Sequence, residues 1–413
     1  MVGTPLRLSA AESVATSLLA QAMLVVSGIL LARLLGVERR GYFALLVLFP
    51  ALLTQLAALG LPQGVTHFAA RHPGHTRAIV AAVRLAFGLQ LLVATSAHLV
   101  TVLLYTRGKP PQFTQAGLAT LVVGAGILAQ QYGAALLLGL GRYRAFNLLK
   151  NLPALAHLLV VVLAFATGQS DLVPLCAAWS AGLALAGVTT LGVALSAVGR
   201  TEPETTSGAP PPRLAELVAF GARGMIGYVS PLDSFRLDQL IAGIWLSPAA
   251  LGLYVVGQAF TNLPKFLAQG IGMILFPALS ARGGSKGRSI ARATAAVAVL
   301  NGIVVVPLIL FAPQLVRLFF GDAFVPAHSI ARILLVGAYV FSVRRILVEG
   351  LRGAGRPEIS TYAELTLYAA LALAPLLISR YGIDGLAVSV ACGHAVALAT
   401  AVLLALRSVR RPA

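Results

Sequence analysis

The sequence predicts an all-α polytopic membrane protein of about twelve spans, in two six-helix lobes related by a parallel pseudo-repeat around a central cavity. Three observations predict it: a composition too apolar for a water-facing surface, a twelvefold hydrophobic punctuation, and an internal repeat. The chain has 413 residues, 58% of them hydrophobic and only 11% charged, where a soluble domain needs about 25%. The mean hydropathy is +0.88. So little polar material cannot coat a globule, so the apolar side chains must face lipid.

Gly, Pro and polar residues divide the chain into runs long enough to cross a bilayer. The first six cover 12–35, 42–67, 79–105, 116–140, 148–167 and 172–198. The linker GRTEPETTSGAPPP (199–212) is the most polar, Pro-rich stretch. Six more runs follow at 215–246, 251–279, 290–312, 327–350, 360–379 and 384–406. The expected organisation is an N-terminal lobe (1–198), a cytoplasmic linker (199–214) and a C-terminal lobe (215–413). No stretch is long and polar enough for a separate soluble domain. The first run, from Val14, reads as a retained span rather than a cleaved signal. Cys176 and Cys392 both sit in apolar runs, so no disulfide framework or CxxC metal site is expected.

Charge sets the expected orientation. Of the 31 Lys and Arg, 18 fall in one set of loops and termini, seven in the opposite set and six within spans. The positive-inside rule then places both termini in the cytoplasm, against the local trend of Arg33, Arg39 and Arg40. The net charge of +18 follows from such loops and from contact with anionic lipid; no nucleic acid partner is implied.

The halves also resemble each other. LGVERRGYFALL (35–46) aligns with LSPAALGLYVVG (246–257) at an offset of 211, which also sets AAR (69–71) on SAR (280–282). LGLGRY (138–143) parallels RGAGRP (352–357) at 214, and Asp171 parallels Asp384. With six spans in each repeat, both halves enter the membrane the same way, a parallel repeat about an axis along the membrane normal.

No P-loop, HExxH or Ser/His/Asp arrangement is present, so no enzyme is expected. His67, His72 and His75 read as surface residues rather than a metal site. The informative residues are ionisable groups inside spans, where a charge costs about 2.5–3.5 kcal/mol on insertion scales. The seventh span carries Arg223, Asp233, Arg236 and Asp238. Asp233 and Arg236, three apart, would share a helix face and pair, and Pro231 would kink the helix. Lys265 follows Pro264 mid-span. The tenth span carries Arg332, Arg344, Arg345 and Glu349; Arg345 and Glu349 stand at i,i+4 and would neutralise each other. Glu364 lies about one turn inside the eleventh. The first half offers mainly Glu12, Gln21, Gln55 and Gln90. A cavity richer in basic than acidic groups prefers an anion, and Arg suits phosphate.

These segments resemble a known family. GILLARLLGVERRGYFALL (28–46) with LAALGLPQGVTHFAAR (56–71) resembles the opening of polysaccharide-exporting flippases, which belong to the multidrug/oligosaccharidyl-lipid/polysaccharide exporter superfamily. LDQLIAGIWLSPAALGLYVVGQAFTNLPKFLAQGIGMILFPALSAR (237–282) resembles the start of their second half. EGLRGAGRPEIS (349–360) and RYGIDGLAVSVACGHA (380–395) resemble their last spans. The likeness runs nearly the whole chain, in order. It implies alternating access and movement of a polyprenyl-pyrophosphate-linked oligosaccharide to the outer leaflet of a bacterial plasma membrane. The expected substrate-binding residues are Arg223, Arg236, Lys265, Arg332, Arg344 and Arg345. The expected ion-coupling residues are Asp233, Asp238, Glu349 and Glu364. No metal or cofactor is implied; coupling to protons or sodium stays open. Implied partners are membrane lipid and, in a biosynthetic pathway, a glycan polymerase and a chain-length protein, with a monomeric transport unit. A cation-coupled multidrug exporter of the same superfamily and a membrane glycan polymerase or ligase remain the alternatives. The carboxylate-poor first half speaks against the former and the short outer loops against the latter.

Overall fold

A computed structural model describes residues 3–201, 211–228, 230–280, 287–356 and 358–409. Most of the polar linker, Ala281 and Arg282 of the second aligned tripeptide, and the basic residues Lys286, Arg410 and Arg411 lie outside them. No β-strand occurs among the described residues.

The helices are α1 (Gly3–Ala58), α2 (Leu61–Arg71), α3 (Thr76–Tyr105), α4 (Pro111–Ala119), α5 (Val123–Gly139), α6 (Tyr143–Leu149), α7 (Leu152–Thr167) and α8 (Leu172–Gly199). The second half holds α9 (Leu214–Tyr228), α10 (Leu237–Trp245), α11 (Pro248–Ala259), α12 (Asn262–Ser280), α13 (Gly287–Leu310), α14 (Ala312–Phe320), α15 (Ala327–Gly353), α16 (Glu358–Ala372) and α17 (Ala374–Val409). Each of the twelve predicted runs coincides with one helix or with two consecutive ones. Where prediction separated the first two spans, α1 continues through Gly36, whose φ of 69° breaks the helical path. Only glycine adopts that conformation without a Cβ penalty.

Among the described residues, seven stretches are long and apolar enough to cross a membrane: Ala15–Ala58, Pro73–Tyr105, Pro111–Gly139, Tyr143–Thr167, Leu172–Gly199, Gly287–Leu310 and Ala374–Arg407. Five lie in the first half. In Pro73–Tyr105, Tyr143–Thr167 and Gly287–Leu310 only 17% of the apolar stretch is buried. Side chains such as Leu85, Leu92, Leu163 and Ile303 stand outward, which a lipid environment accommodates and water does not.

The chain forms two compact units. Unit 1 holds the residues up to Leu35 with Leu45–Ile226; unit 2 holds Gly36–Ala44 and the chain from Gly227. In unit 1, α5 packs along α8 and against α2. A Cβ on Gly187 would overlap the Gly126 carbonyl, and one on Gly126 would sit 2.8 Å from Ala184 Cα. Close backbone approach through small residues is how helices associate where lipid competes for apolar surface. Gly187→Leu is therefore expected to cost about 1–3 kcal/mol through overpacking. Thermal unfolding of the purified protein in detergent checks it; an unchanged midpoint would contradict the packing. The core of the unit gathers Leu61, Val65, Leu128, Tyr132, Leu136 and Leu217. Tyr132 donates to Gln90 Oε1 at 2.8 Å, and Gln90 donates to the Ala58 carbonyl at 3.2 Å. The chain thus satisfies an acceptor exposed by the end of α1.

In unit 2, α15 is the central helix, packed by α11, α12, α13 and α17. Ser342 donates to the Pro264 carbonyl at 3.1 Å. That acceptor lies at the start of α12. The repeat is visible in local geometry. Gly141 and Gly355, 214 residues apart, have φ of 67° and 88°. The following Arg142 and Arg356 donate back to Leu137 and Leu351 at 2.8 and 3.0 Å, the same helix-ending bond in both halves. Gly168 and Gly382, at the same offset, have φ of 69° and 57°. Within unit 2 a Cβ on Gly41 would overlap the Pro248 carbonyl, and a Cβ on Gly252 the Val37 carbonyl. These pairs match at the offset of 211, so the contact is reciprocal, as a local pseudo-two-fold requires.

Candidate functional site

The seventh span is broken, not merely kinked. Between α9 and α10, Ser234 N–H donates to the Ser230 carbonyl, and Leu237 N–H reaches back six residues to Pro231, both at 3.0 Å. Pro231 lacks the amide that would continue a regular ladder. Arg236 then adopts φ 47°, ψ 46° before α10 begins. A left-handed non-glycine residue stores strain of a kind that concentrates at functional sites.

The break corrects one expectation. Asp233 and Arg236 do not share a helix face, because neither lies within a regular helix. Asp233 instead accepts from Lys265 Nζ at 3.2 Å. On α15, Arg344 donates through Nη1 to Glu364 Oε1 of α16 at 2.7 Å. Arg344 is 3% exposed, its Nε has no hydrogen-bond partner, and neither has Glu364 Oε2. The ring of Phe341 joins the two pairs: Lys265 Nζ lies 5.2 Å and Arg344 Cζ 5.6 Å from its centroid, within cation–π range. Four charges from three helices and one irregular segment are thus gathered around one buried aromatic ring.

Asp238, two residues past Arg236, is fully buried. Its Oδ2 accepts from Tyr254 Oη and from Gln258 Nε2, both at 2.8 Å, while Oδ1 has no hydrogen-bond partner. Gln239 donates to the same Gln258. Arg236 is exposed, and its charge acts on Arg40, whose buried Nε has no hydrogen-bond partner. No carboxylate forms an ion pair with either among the described residues.

The other candidates stand outside this cluster. Arg345 pairs with Glu349 at 2.9 Å, as the i,i+4 spacing predicts, and Glu349 also receives Arg352 at 3.0 Å. Arg332 Nε donates to the Ile309 carbonyl at 3.0 Å. Arg223 belongs to unit 1, exposed on α9. His67 stacks on Phe220 with centroids 4.0 Å apart, and no cluster of three metal-ligating side chains occurs among the described residues. The polar residues of the first half form pairs of their own: Gln131 donates to Gln55 at 3.0 Å, and Glu12 lies 3.7 Å from Arg144.

Sequence reasoning missed Phe341, Gln258, Tyr254, Arg40 and His394. His394, on α17, is 1% exposed, lies edge-on to Phe341 with centroids 5.4 Å apart, and leaves Nδ1 without a partner. A histidine in the middle of the predicted span 384–406 was itself a signal.

An all-α fold built of outward apolar faces, with charged side chains gathered inside it, defines a multi-pass membrane protein. Residues 11–282 match the family described as "Polysaccharide biosynthesis protein", and the chain belongs to that family. An inward-facing multidrug resistance transporter of the superfamily superposes with a TM-score of 0.72 at 17% identity, covering 95% of this chain and 94% of that one. The lipid II flippase MurJ in an inward closed conformation gives 0.69 at 12% identity, over 94% and 86%. A superfamily transporter from Pyrococcus furiosus, described by the reverse polarity of its binding pocket, gives 0.57 at 17%, over 98% and 96%. At these identities the likeness is one of fold. An uncharacterized membrane protein of Methanocaldococcus jannaschii is 28% identical over 190 residues, which span 44% of this chain and 37% of that protein.

Proposed function

We propose that the protein is a flippase that carries a lipid-linked saccharide with an anionic diphosphate bridge across a bacterial plasma membrane, in the service of surface polysaccharide synthesis. One observation carries the reading: Lys265 and Arg344 stand beside one buried ring, each with donors left over. An ammonium has three donors and a guanidinium five, and among the described residues each is engaged in a single ion pair. A diphosphate has the charge and the acceptors to take up the remainder. Arg236 and Arg40, without ion-paired carboxylates, add cationic charge at the start of α10.

The lobes 1–198 and 215–413, joined by the linker 199–214, would be the bodies that rock, with both termini cytoplasmic and the lipid tail kept in the bilayer. Asp233 and Glu364 would release and recapture their cations as the anion arrives and leaves. Asp238, buried with one free oxygen, is the group in this reading for taking up a coupling cation, proton or sodium. Arg223, Arg332, Arg345 and Glu349 would support the path rather than the anion contact. A polymerase and a chain-length protein would act on the product outside the membrane.

Asp238 also favours a second reading, a cation-coupled exporter of cationic compounds. The two separate in one reconstitution. Vesicles holding the purified protein and a labelled polyprenyl-diphosphate oligosaccharide are scored for movement between leaflets, and parallel vesicles for uptake of a cationic dye. Glycolipid movement without dye movement supports the flippase; the reverse replaces it.

A further inference from the structure

Three basic side chains, not two, surround Phe341. Lys265 and Arg344 lie over its face, and His394 meets it edge-on with its Nδ1 unpartnered. The imidazole is buried, and the charges of Lys265, Arg344 and Asp233 act on it. Its helix, α17, packs against α10, α11, α15 and α16. The ionisable groups they bring around the site are Asp238 from α10, Tyr254 from α11, Arg344 from α15 and Glu364 from α16. Asp233 and Lys265 complete the set.

The formal charges of Asp233, Lys265, Arg344 and Glu364 cancel, and the Asp238 carboxyl is held apart from them by Tyr254 and Gln258. A proton added to His394 would then be an uncompensated charge in a dry site, which is costly. A diphosphate with both phosphates esterified brings two negative charges. Seated on Lys265 and Arg344, it turns that cost into an attraction.

We propose that His394 is the proton-accepting member of the anion site, so that binding the diphosphate takes up one proton. The proton comes from hydronium in the surrounding water: one O–H bond breaks to leave water, one N–H bond forms on the imidazole, and no other bond changes. It leaves when the anion leaves. The proposal rests on the flippase reading for the identity of the anion, and assigns the linked proton to a residue outside the carboxylates considered above.

Linkage makes the test quantitative. If one proton binds with the anion, affinity falls about tenfold per pH unit wherever the free site is unprotonated and the bound site would be protonated. The probe is a short-chain prenyl-diphosphate N-acetylglucosamine, whose esterified phosphates do not titrate near neutrality. It is titrated onto the full-length protein in lipid nanodiscs from pH 5.5 to 8.5. Calorimetry in two buffers of different ionisation enthalpy counts the protons. The wild type is expected to take up about one proton per bound probe and to lose affinity with rising pH. His394→Asn and His394→Gln are expected to bind with no proton uptake and a flat profile; two substitutions guard against one that fails to fold. A flat wild-type profile, or a slope that survives both substitutions, overturns the assignment to His394 and leaves the flippase reading standing. No binding of the probe at any pH overturns both.

Discussion

Arg344→Ala is expected to lose both stability and transport, whereas Arg344→Met with Glu364→Met is expected to lose only transport. The guanidinium is 3% exposed and 2.7 Å from Glu364. Removing it alone strands a carboxylate whose other oxygen already lacks a partner. Breaking one side of a buried pair costs about 3–5 kcal/mol, while replacing both partners by apolar residues of similar volume is often neutral. Thermal unfolding of the purified variants reads the first effect, and flipping in vesicles reads the second. Were the double variant to transport normally, the pair would be structural and the anion would sit elsewhere. The comparison therefore separates a binding arginine from one that merely balances a glutamate.

Lys265→Ala and Asp233→Asn are expected to act in opposite directions on binding. A hydrogen bond to a charged group contributes about 1.5–3 kcal/mol, so losing the ammonium should weaken diphosphate binding about tenfold to a hundredfold. Removing the Asp233 charge frees Lys265 from its 3.2 Å partner. Binding of the prenyl-diphosphate probe should then tighten while flipping slows, because the carboxylate that displaces the anion is gone. A loss of affinity in both variants would mean that Asp233 holds Lys265 in place rather than competing with the substrate.

Within the cluster, single residues were more legible than their partners. Every charged member had already stood out, because a charge inside an apolar run is visible one residue at a time. Asp233 was assigned to Arg236 by helical spacing, and the assignment failed because Pro231 did more than kink. With the chain irregular from Ser230 to Arg236, three-residue spacing no longer places two side chains on one face. Lys265, 32 positions away, became the partner instead. The local pair Arg345–Glu349 was predicted correctly because α15 is regular there and i,i+4 geometry holds. Phe341 is not legible in the sequence because an aromatic in an apolar run looks like core. His394 is a signal on its own in the span 384–406, but only its convergence with Phe341 on Lys265 and Arg344 gives it a place in the site.

The sequence by itself determined that this is a membrane protein, where its helices run, and that its halves repeat. Those properties follow from local hydropathy and from turn chemistry such as Gly141 and Gly355, which each stretch of chain carries with it. Tertiary structure alone decided which charge faces which, that Asp238 is fully buried between Tyr254 and Gln258, and that one phenylalanine gathers three basic groups. The physical reason is the medium. Inside apolar surroundings a charge must find a counter-charge or donor wherever packing brings one, and that distance in space has no counterpart in distance along the chain.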